Sequence, residues 1–253
     1  MTDGRSDYNP SPVPARWQWR WALVLLAAAY VVYRFDRDLA AWLGGLGSSM
    51  GGDLKRELVV WGQYGQGTWV VVVAIAFVLL VPGPWRWRRV LDLIAAAGLT
   101  WVVAFALKAI IGRPRPKFDD PWVILGPLGQ YPVSPEAGVR HAWEFWTPIS
   151  SDLWSMPSSH TAFAVMLSVF IAAMAPRLRV LVTVLAVVVA FSRVMLGAHY
   201  PSDVFVGAAV GLACASLAVN NGLGVRGLDW LWRRVVDREA KPAWPEVVKA
   251  EKA

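Results

Sequence analysis

Residues 90–116 read VLDLIAAAGLTWVVAFALKAIIGRPRP, an apolar run that ends in a cluster of cations. The run Val90–Ile111 is long enough to cross a bilayer as a helix, which takes about 20 residues. Pro114 disfavours helical geometry at residue 113, so Arg115 is expected in a loop that folds back over Lys108 at the end of the span. Asp92, near the other end, is expected to face a helix bundle or to snorkel, on the wrong side for chemistry at Lys108.

The rest of the chain repeats this theme. Apolar segments also fall at Trp19–Tyr33, Gly67–Val81, Thr161–Ala175, Val180–Phe191 and Val204–Val219, the shorter ones needing their flanks to span. Of 253 residues, 56% are hydrophobic and 17% charged. Soluble domains run nearer 45–50% and about 25%, so the chain is polytopic and membrane-bound. The fold expected is all-α, a bundle of six transmembrane helices. Gly207-x-x-x-Gly211 in the last span reads as a helix-packing motif.

Arginine and lysine orient that bundle. Arg5, Arg16 and Arg20 precede the first segment; Arg86, Arg88 and Arg89 fill the second loop, Arg177 and Arg179 the fourth, and Arg226, Arg233, Arg234 and Arg238 the tail. The first loop balances Arg34, Arg37, Lys55 and Arg56 against Asp36, Asp38, Asp53 and Glu57. The positive-inside rule then puts both termini in the cytoplasm and loops one, three and five outside. The net charge of +7 fits such loops and anionic head groups, and no basic stripe with stacking aromatics favours nucleic acid. A single cysteine, Cys214, excludes an intrachain disulfide and a cysteine metal cluster.

Three regions follow: a disordered arm over 1–16, a membrane domain over 17–222, and a cytoplasmic tail over 223–253. The tail holds a possible interfacial helix at Leu228–Val236, a solvated tail being the alternative. Cleavage of the first segment as a signal peptide would leave five spans in the same orientation; retention is favoured. Ala41–Leu58 reads either as a segment along the outer membrane surface or as a plain connection.

Polar residues gather at three places, all on the outer face in this topology: Lys108 to Arg115, Met156-Pro-Ser158-Ser159-His160, and Ser192-Arg193 to Asp203. Lys108, Arg115 and Arg193 supply positive charge, and the arginine fork matches phosphate oxygens. Ser158 reads as the N-cap of span four, which frees the Ser159 and His160 amides for an anion. If Pro201 opens span six, Asp203 can reach back to His199, fix its tautomer and leave the other ring nitrogen as nucleophile or base. His160 is then free to protonate a leaving oxygen. Singly, each feature has an ordinary reading: a snorkelling cation, a helix cap, a turn hydrogen bond. Arg113 reads as an anchoring charge, His141 as a surface residue with no partner patterned in the sequence, and Asp119 with Asp120 as a solvated acidic pair.

Lys108 with six residues before Arg115-Pro116, then Pro157-Ser158-Ser159-His160, then Ser192-Arg193 with five residues before His199 and three more before Asp203, resembles the type-2 phosphatidic acid phosphatase superfamily. The motifs match in order and spacing over residues 108–203, and the six-span layout extends the likeness to about 20–220. The resemblance implies an enzyme in which His199 forms a phosphohistidine, Asp203 orients it, and His160 is the general acid. Lys108, Arg115, Ser158, Ser159 and Arg193 would hold the phosphate, with no metal or other cofactor. Ser159 stands where the family usually has glycine, which bears on leaving-group fit.

The function expected is hydrolysis of a lipid phosphate or diphosphate that reaches the outer rim of spans three to six sideways from the membrane. Undecaprenyl diphosphate, phosphatidylglycerophosphate, phosphatidic acid and lipid A are the candidates, and a bacterial inner membrane is the expected location. The third loop, with Trp122, Trp143, Phe145, Trp146 and Trp154, is a lid or a structural cap. Competing readings are lipid-to-lipid phosphoryl transfer and, without catalysis, a lipid-binding or scramblase-like protein.

Overall fold

A computed structural model describes residues 15–81, 85–147 and 150–241. Of the arm expected to be disordered, residues 1–14 lie outside the described residues, while Ala15 and Arg16 already belong to the first helix. The last twelve residues of the tail also lie outside them.

The helices are α1 (Ala15–Tyr33), α2 (Asp36–Ser49), α3 (Gly52–Gly62), α4 (Thr68–Leu80) and α5 (Trp85–Ile111). After a long connection come α6 (Ser159–Met174), α7 (Arg179–Met195), α8 (Pro201–Asn221) and α9 (Leu223–Val235). The all-α expectation needs one correction. The third loop contains a small antiparallel hairpin, β1 (Tyr131–Ser134) with β2 (Gly138–Arg140), pairing Tyr131 with Arg140 and Ser134 with Gly138. It is too short and too polar for an apolar-run reading to find.

The helix α4, TWVVVVAIAFVLL, is rich in β-branched residues that favour strands in water. In hydrocarbon a lone strand leaves its amides and carbonyls unsatisfied, so the same sequence coils and bonds to itself. Among the described residues, Arg86–Ile111, Pro176–Met195 and Pro201–Asn221 are long and apolar enough to cross a membrane. The pair α3 and α4 passes that test jointly but is bent by 67°, and the apolar helices Arg20–Tyr33 and Ser159–Met174 are shorter. These elements fall on the six expected segments. Leu79, Leu80, Val180 and Val187 stand exposed on their outward faces, a surface that lipid rather than water covers.

The helix α8 is the hub, packing on α1, α5 and α6, while α7 lies against α6. Leu93, Ala96, Met166, Leu167, Phe170, Val189, Ala215 and Ala218 form the core, with Phe77 edge-on to Phe170 at 5.5 Å. The glycine motif works as expected. A Cβ on Gly207 would stand 2.4 Å from the Ser158 carbonyl oxygen, and one on Gly211 would stand 2.1 Å from that of Ala162. The two backbones therefore meet where only hydrogen fits.

The segment Ala41–Leu58 is not a plain connection: all of it but Met50 and Gly51 lies in α2 and α3, which pack on α7. Leu43 joins Val194, Met195 and Val204 there. The bend between α3 and α4 carries Gly65, whose Cβ would stand 2.3 Å from the His160 carbonyl oxygen, so this corner abuts the start of α6. At the opposite end, wholly buried Asp92 faces the bundle. It pairs with Arg89 at 2.8 Å and accepts the Gly224 and Val225 amides at 2.9 and 3.2 Å, capping α9. The tail helix thus begins at Leu223, five residues earlier than expected.

Gly207→Ala and Gly211→Ala force α8 away from α6, and each is expected to lower the thermal midpoint in detergent by several degrees, from overpacking of about 1–3 kcal/mol. Gly98→Ala in α5, whose Cβ meets nothing within 4 Å, serves as the control. Equal midpoints for all three variants would show that the α6–α8 contact does not require glycine.

Candidate active site

Four helix ends meet at one end of the bundle. Lys108 lies on the last turn of α5, where left-handed Gly112 (φ 60°) closes the helix, its amide returning to the Lys108 carbonyl at 3.0 Å. The chain then folds back as expected. The Arg115 amide donates to the Asp152 carbonyl at 2.9 Å, and Arg115 Nε donates to the Ser151 carbonyl at 2.8 Å. Lys108 Nζ donates to the Trp154 carbonyl at 2.7 Å. Arg193 lies on the last turn of α7.

These cations share one cavity of about 270 Å³ with Ser159, His160 and His199. Its remaining wall is Trp101, Ala104, Phe105, Trp154 and Phe163, and among the described residues no carboxylate lines it. Trp101 stacks on Phe105 at 5.7 Å, and Phe105 meets Trp154 and Phe145 edge-on at 5.6 and 5.8 Å. One side of the cavity is therefore cationic and the other aromatic and aliphatic, descending along α5 and α6. Three cations without a lining acid form a site for a multiply charged anion.

Ser158 departs from the rest. It is wholly buried at the N-cap of α6, but its side chain caps no helix amide; its oxygen accepts from the Thr161 hydroxyl at 3.1 Å. Its amide donates to the Asp203 carbonyl at 3.0 Å, tying α6 to α8. The serine hydroxyl is thus turned away from the cavity that Ser159 lines.

His199 sits in the α7–α8 turn, 2% exposed. The expected direct carboxylate contact is replaced. His199 Nδ1 lies 2.7 Å from the Ser155 carbonyl oxygen, whereas Asp203 Oδ2 is 3.8 Å away, too far for a hydrogen bond. A carbonyl only accepts, so Nδ1 carries the proton and Nε2 keeps its lone pair. Asp203 acts one residue removed: its Oδ2 accepts the Ser155 hydroxyl at 2.5 Å and the Tyr200 amide at 2.8 Å. Burial is the main cause that pushes the His199 imidazole down to about 4, with Lys108 and Arg115 lowering it further and Asp203 opposing them. The ring is neutral at physiological pH. Burial also lowers the Arg115 guanidinium from its usual value, against the pull of Asp152 and Asp203.

Arg113, read as an anchoring charge, does not line the cavity. It is wholly buried and donates to Asp203 Oδ1 at 2.6 Å, Asp36 Oδ2 at 2.7 Å and the Ser202 hydroxyl at 2.8 Å. Neither Arg113, Asp36 nor Ser155 stands out in the sequence, and only the Pro114 break hints that Arg113 leaves its helix. His141 has partners after all: the Gly129 carbonyl and the Gln130 side chain, each at 2.9 Å, with Trp143 stacked on its ring. Asp119 pairs with Arg37 at 3.2 Å, and Asp120 accepts the Tyr131 hydroxyl.

A model of the PAP2 superfamily matches residues 89–223. Lipid A 1-phosphatases from Rhizobium johnstonii and Rhizobium etli are each 35% identical over 111 residues. That stretch is 44% of this chain but only 38% and 40% of those proteins, so the match spans about two fifths of either relative. Among solved structures, Aquifex aeolicus LpxE is similar with a TM-score of 0.52 at 20% identity, covering 74% of this chain and 95% of that one. A transmembrane PAP2-type phosphatidylglycerolphosphate phosphatase from Bacillus subtilis also gives 0.52 at 20% identity, over 90% and 99%. These two likenesses show the fold.

In protein labelled with 15N-histidine, the His199 signals, identified by their loss in His199→Ala, are expected to keep the neutral Nδ1–H pattern from about pH 8 to about pH 5. A titration centred near the ordinary value of about 6.5 would show that the ring is not held as described.

Proposed function

The chain belongs to the PAP2 superfamily, and we propose that it is an integral-membrane phosphatase acting on a lipid phosphate or diphosphate through a phosphohistidine. The observation that carries this reading is the convergence of two histidines and three cations on one cavity whose other wall is apolar. His199 Nε2 attacks phosphorus, the bond from phosphorus to the leaving oxygen breaks, and His160, which takes up a proton against the negative charge of the bound phosphate, gives that proton to the leaving oxygen. Water then attacks phosphorus while His160 takes its proton, and the phosphorus–nitrogen bond breaks, releasing inorganic phosphate and neutral His199. Lys108, Arg115 and Arg193 hold the equatorial oxygens as their charge develops, and Ser159 borders the group that leaves.

The wall formed by Trp101, Phe105 and Phe163 suits the apolar part of a lipid while its phosphate reaches the cations. Lipid A is the first substrate to test, because the Rhizobium relatives are lipid A 1-phosphatases. Undecaprenyl diphosphate, phosphatidylglycerophosphate and phosphatidic acid follow. Arginines at the other end of the bundle support a site on the outer face of an inner membrane with cytoplasmic termini. The helix α9, with Trp230, Trp232, Arg233 and Arg234 outward, lies along the inner head-group layer.

Phosphate release in detergent from these four lipids, with and without EDTA, tests the reading. At least one lipid is expected to be turned over, EDTA to leave the rate unchanged, and His199→Ala to lower it by about 10³-fold or more while the protein stays folded. Near-normal turnover in His199→Ala would remove the nucleophile. Label passing to an added acceptor lipid instead of water would mark a phosphotransferase. No turnover of any lipid by folded protein would point to a binding role.

A further inference from the structure

The first turn of α2 reaches the reaction centre without touching the cavity. Asp36 is wholly buried. Its Oδ2 accepts Arg113 Nη2 at 2.7 Å and the Ser202 hydroxyl, and its Oδ1 accepts the Ser202 amide at 2.9 Å. Arg113 also donates twice to the Pro121 carbonyl, at 2.6 and 3.1 Å, and lies over the rings of Tyr200 and Tyr33 at 4.3 and 5.0 Å. Tyr33 ends α1, so the α1–α2 junction supplies both the carboxylate and one of the flanking rings.

We propose that Asp36 is a positioning residue for catalysis: by sharing Arg113 with Asp203, it sets the orientation and net charge of the group that holds His199. This rests on His199 being the nucleophile. The physical case has two parts. The first is geometric. Ser202 and Asp203 are consecutive residues in the first turn of α8, the turn that follows His199. Asp36 takes the Ser202 amide and hydroxyl while Arg113 takes Asp203 Oδ1, so the helix start is clamped from α2. Asp203 Oδ2 is left to the Ser155 hydroxyl and the Tyr200 amide, and Ser155 in turn holds His199 Nδ1.

The second part concerns charge. Arg113 with Asp203 alone would be a neutral pair. Asp36 makes it a triad of two carboxylates and one guanidinium, with a surplus negative charge buried behind His199. Burial raises the Asp36 carboxyl from its usual value, but every neighbour named above donates to it, so the geometry holds the carboxylate. As His199 Nε2 bonds to phosphorus, the ring becomes positive and its Nδ1–H more acidic. A negative surplus on that side stabilises the change, and in a water-poor site it is weakly screened.

The test uses the whole chain in detergent with lipid A as probe, comparing wild type, Asp36→Asn, Asp36→Glu and Leu43→Ala. Leu43 packs α2 against α7 away from the cavity and serves as a purely structural control. Asp36→Asn keeps the shape and loses the charge, and is expected to lower kcat about 10- to 100-fold with KM within about threefold. Leu43→Ala is expected to lower the thermal midpoint with kcat near wild type. Asp36→Glu, which keeps the charge, is expected to retain more kcat than Asp36→Asn. A kcat for Asp36→Asn equal to wild type, or Asn outperforming Glu, would overturn the proposal while leaving the phosphatase reading in place. If wild type does not turn over lipid A, the 15N signals of His199 still decide. A displaced Nδ1–H resonance in either Asp36 variant, absent in Leu43→Ala, is expected; an unchanged one overturns the proposal. If Asp36→Asn does not fold, Asp36→Glu alone is read against wild type in the same way.

Discussion

A guanidinium without water around it must find its counter-charges inside the protein, and Arg113 finds two. Removing one partner of such a buried group is strongly destabilising, because the remaining charge is left uncompensated. Once Arg113 is buried, the α1–α2 junction, the end of α5 and the start of α8 must therefore come together. The last two of these joints lie beside the cavity, with Lys108 at the end of α5 and His199 just before α8. The triad is a weak argument for net stability, since apolar residues can fill the same space. Its value lies in specifying one arrangement of helix ends.

The helices deliver those ends by close approach. Gly207 and Gly211 let α8 run against α6 backbone to backbone, which sets Ser158 on Asp203 through a main-chain hydrogen bond. Gly65 does the same for the α3–α4 corner against the His160 carbonyl. A membrane bundle gains little from the hydrophobic effect between helices, so packing and interhelical hydrogen bonds carry its association. At the far end Asp92 fulfils a comparable role for α9, a buried carboxylate paired with arginine and bonded to helix amides.

Much of this was legible because the bilayer imposes a strong pattern. Apolar runs mark the helices, and Lys108, Arg115, Ser159, His160, Arg193 and His199 are read from spacing at their ends. What was hidden depends on distance along the chain. Asp36 and Arg113 are 77 residues apart, and Asp36 reads as one charge in a balanced loop. The partner of His199 Nδ1 is a backbone carbonyl 44 residues away, a group every residue carries, so no side-chain type could announce it. The Asp203 spacing correctly suggested proximity, but proximity is not a hydrogen bond when Ser155 stands between. The helices α2 and α3 escaped because the runs within Ala41–Leu58 are broken by glycine and charge, and only packing on α7 gives them a face to bury.

The cavity also explains why its two walls need one another. Lys108, Arg115 and Arg193 repel each other, and among the described residues no acid in the lining neutralises them, a charge that a multiply charged anion such as phosphate would balance. Phosphate alone would satisfy them, yet the lining continues into Trp101, Phe105 and Phe163, which gain nothing from an inorganic ion. An amphiphile whose charge and apolar body are adjacent engages both surfaces at once. On the proposed reading, hydrolysis would cut the charged group from the apolar one, and neither fragment would retain both sets of contacts. The same division would then weaken the hold on the products. Ser159 lines the same cavity beside His160, and its side chain takes up room there that a glycine would leave open.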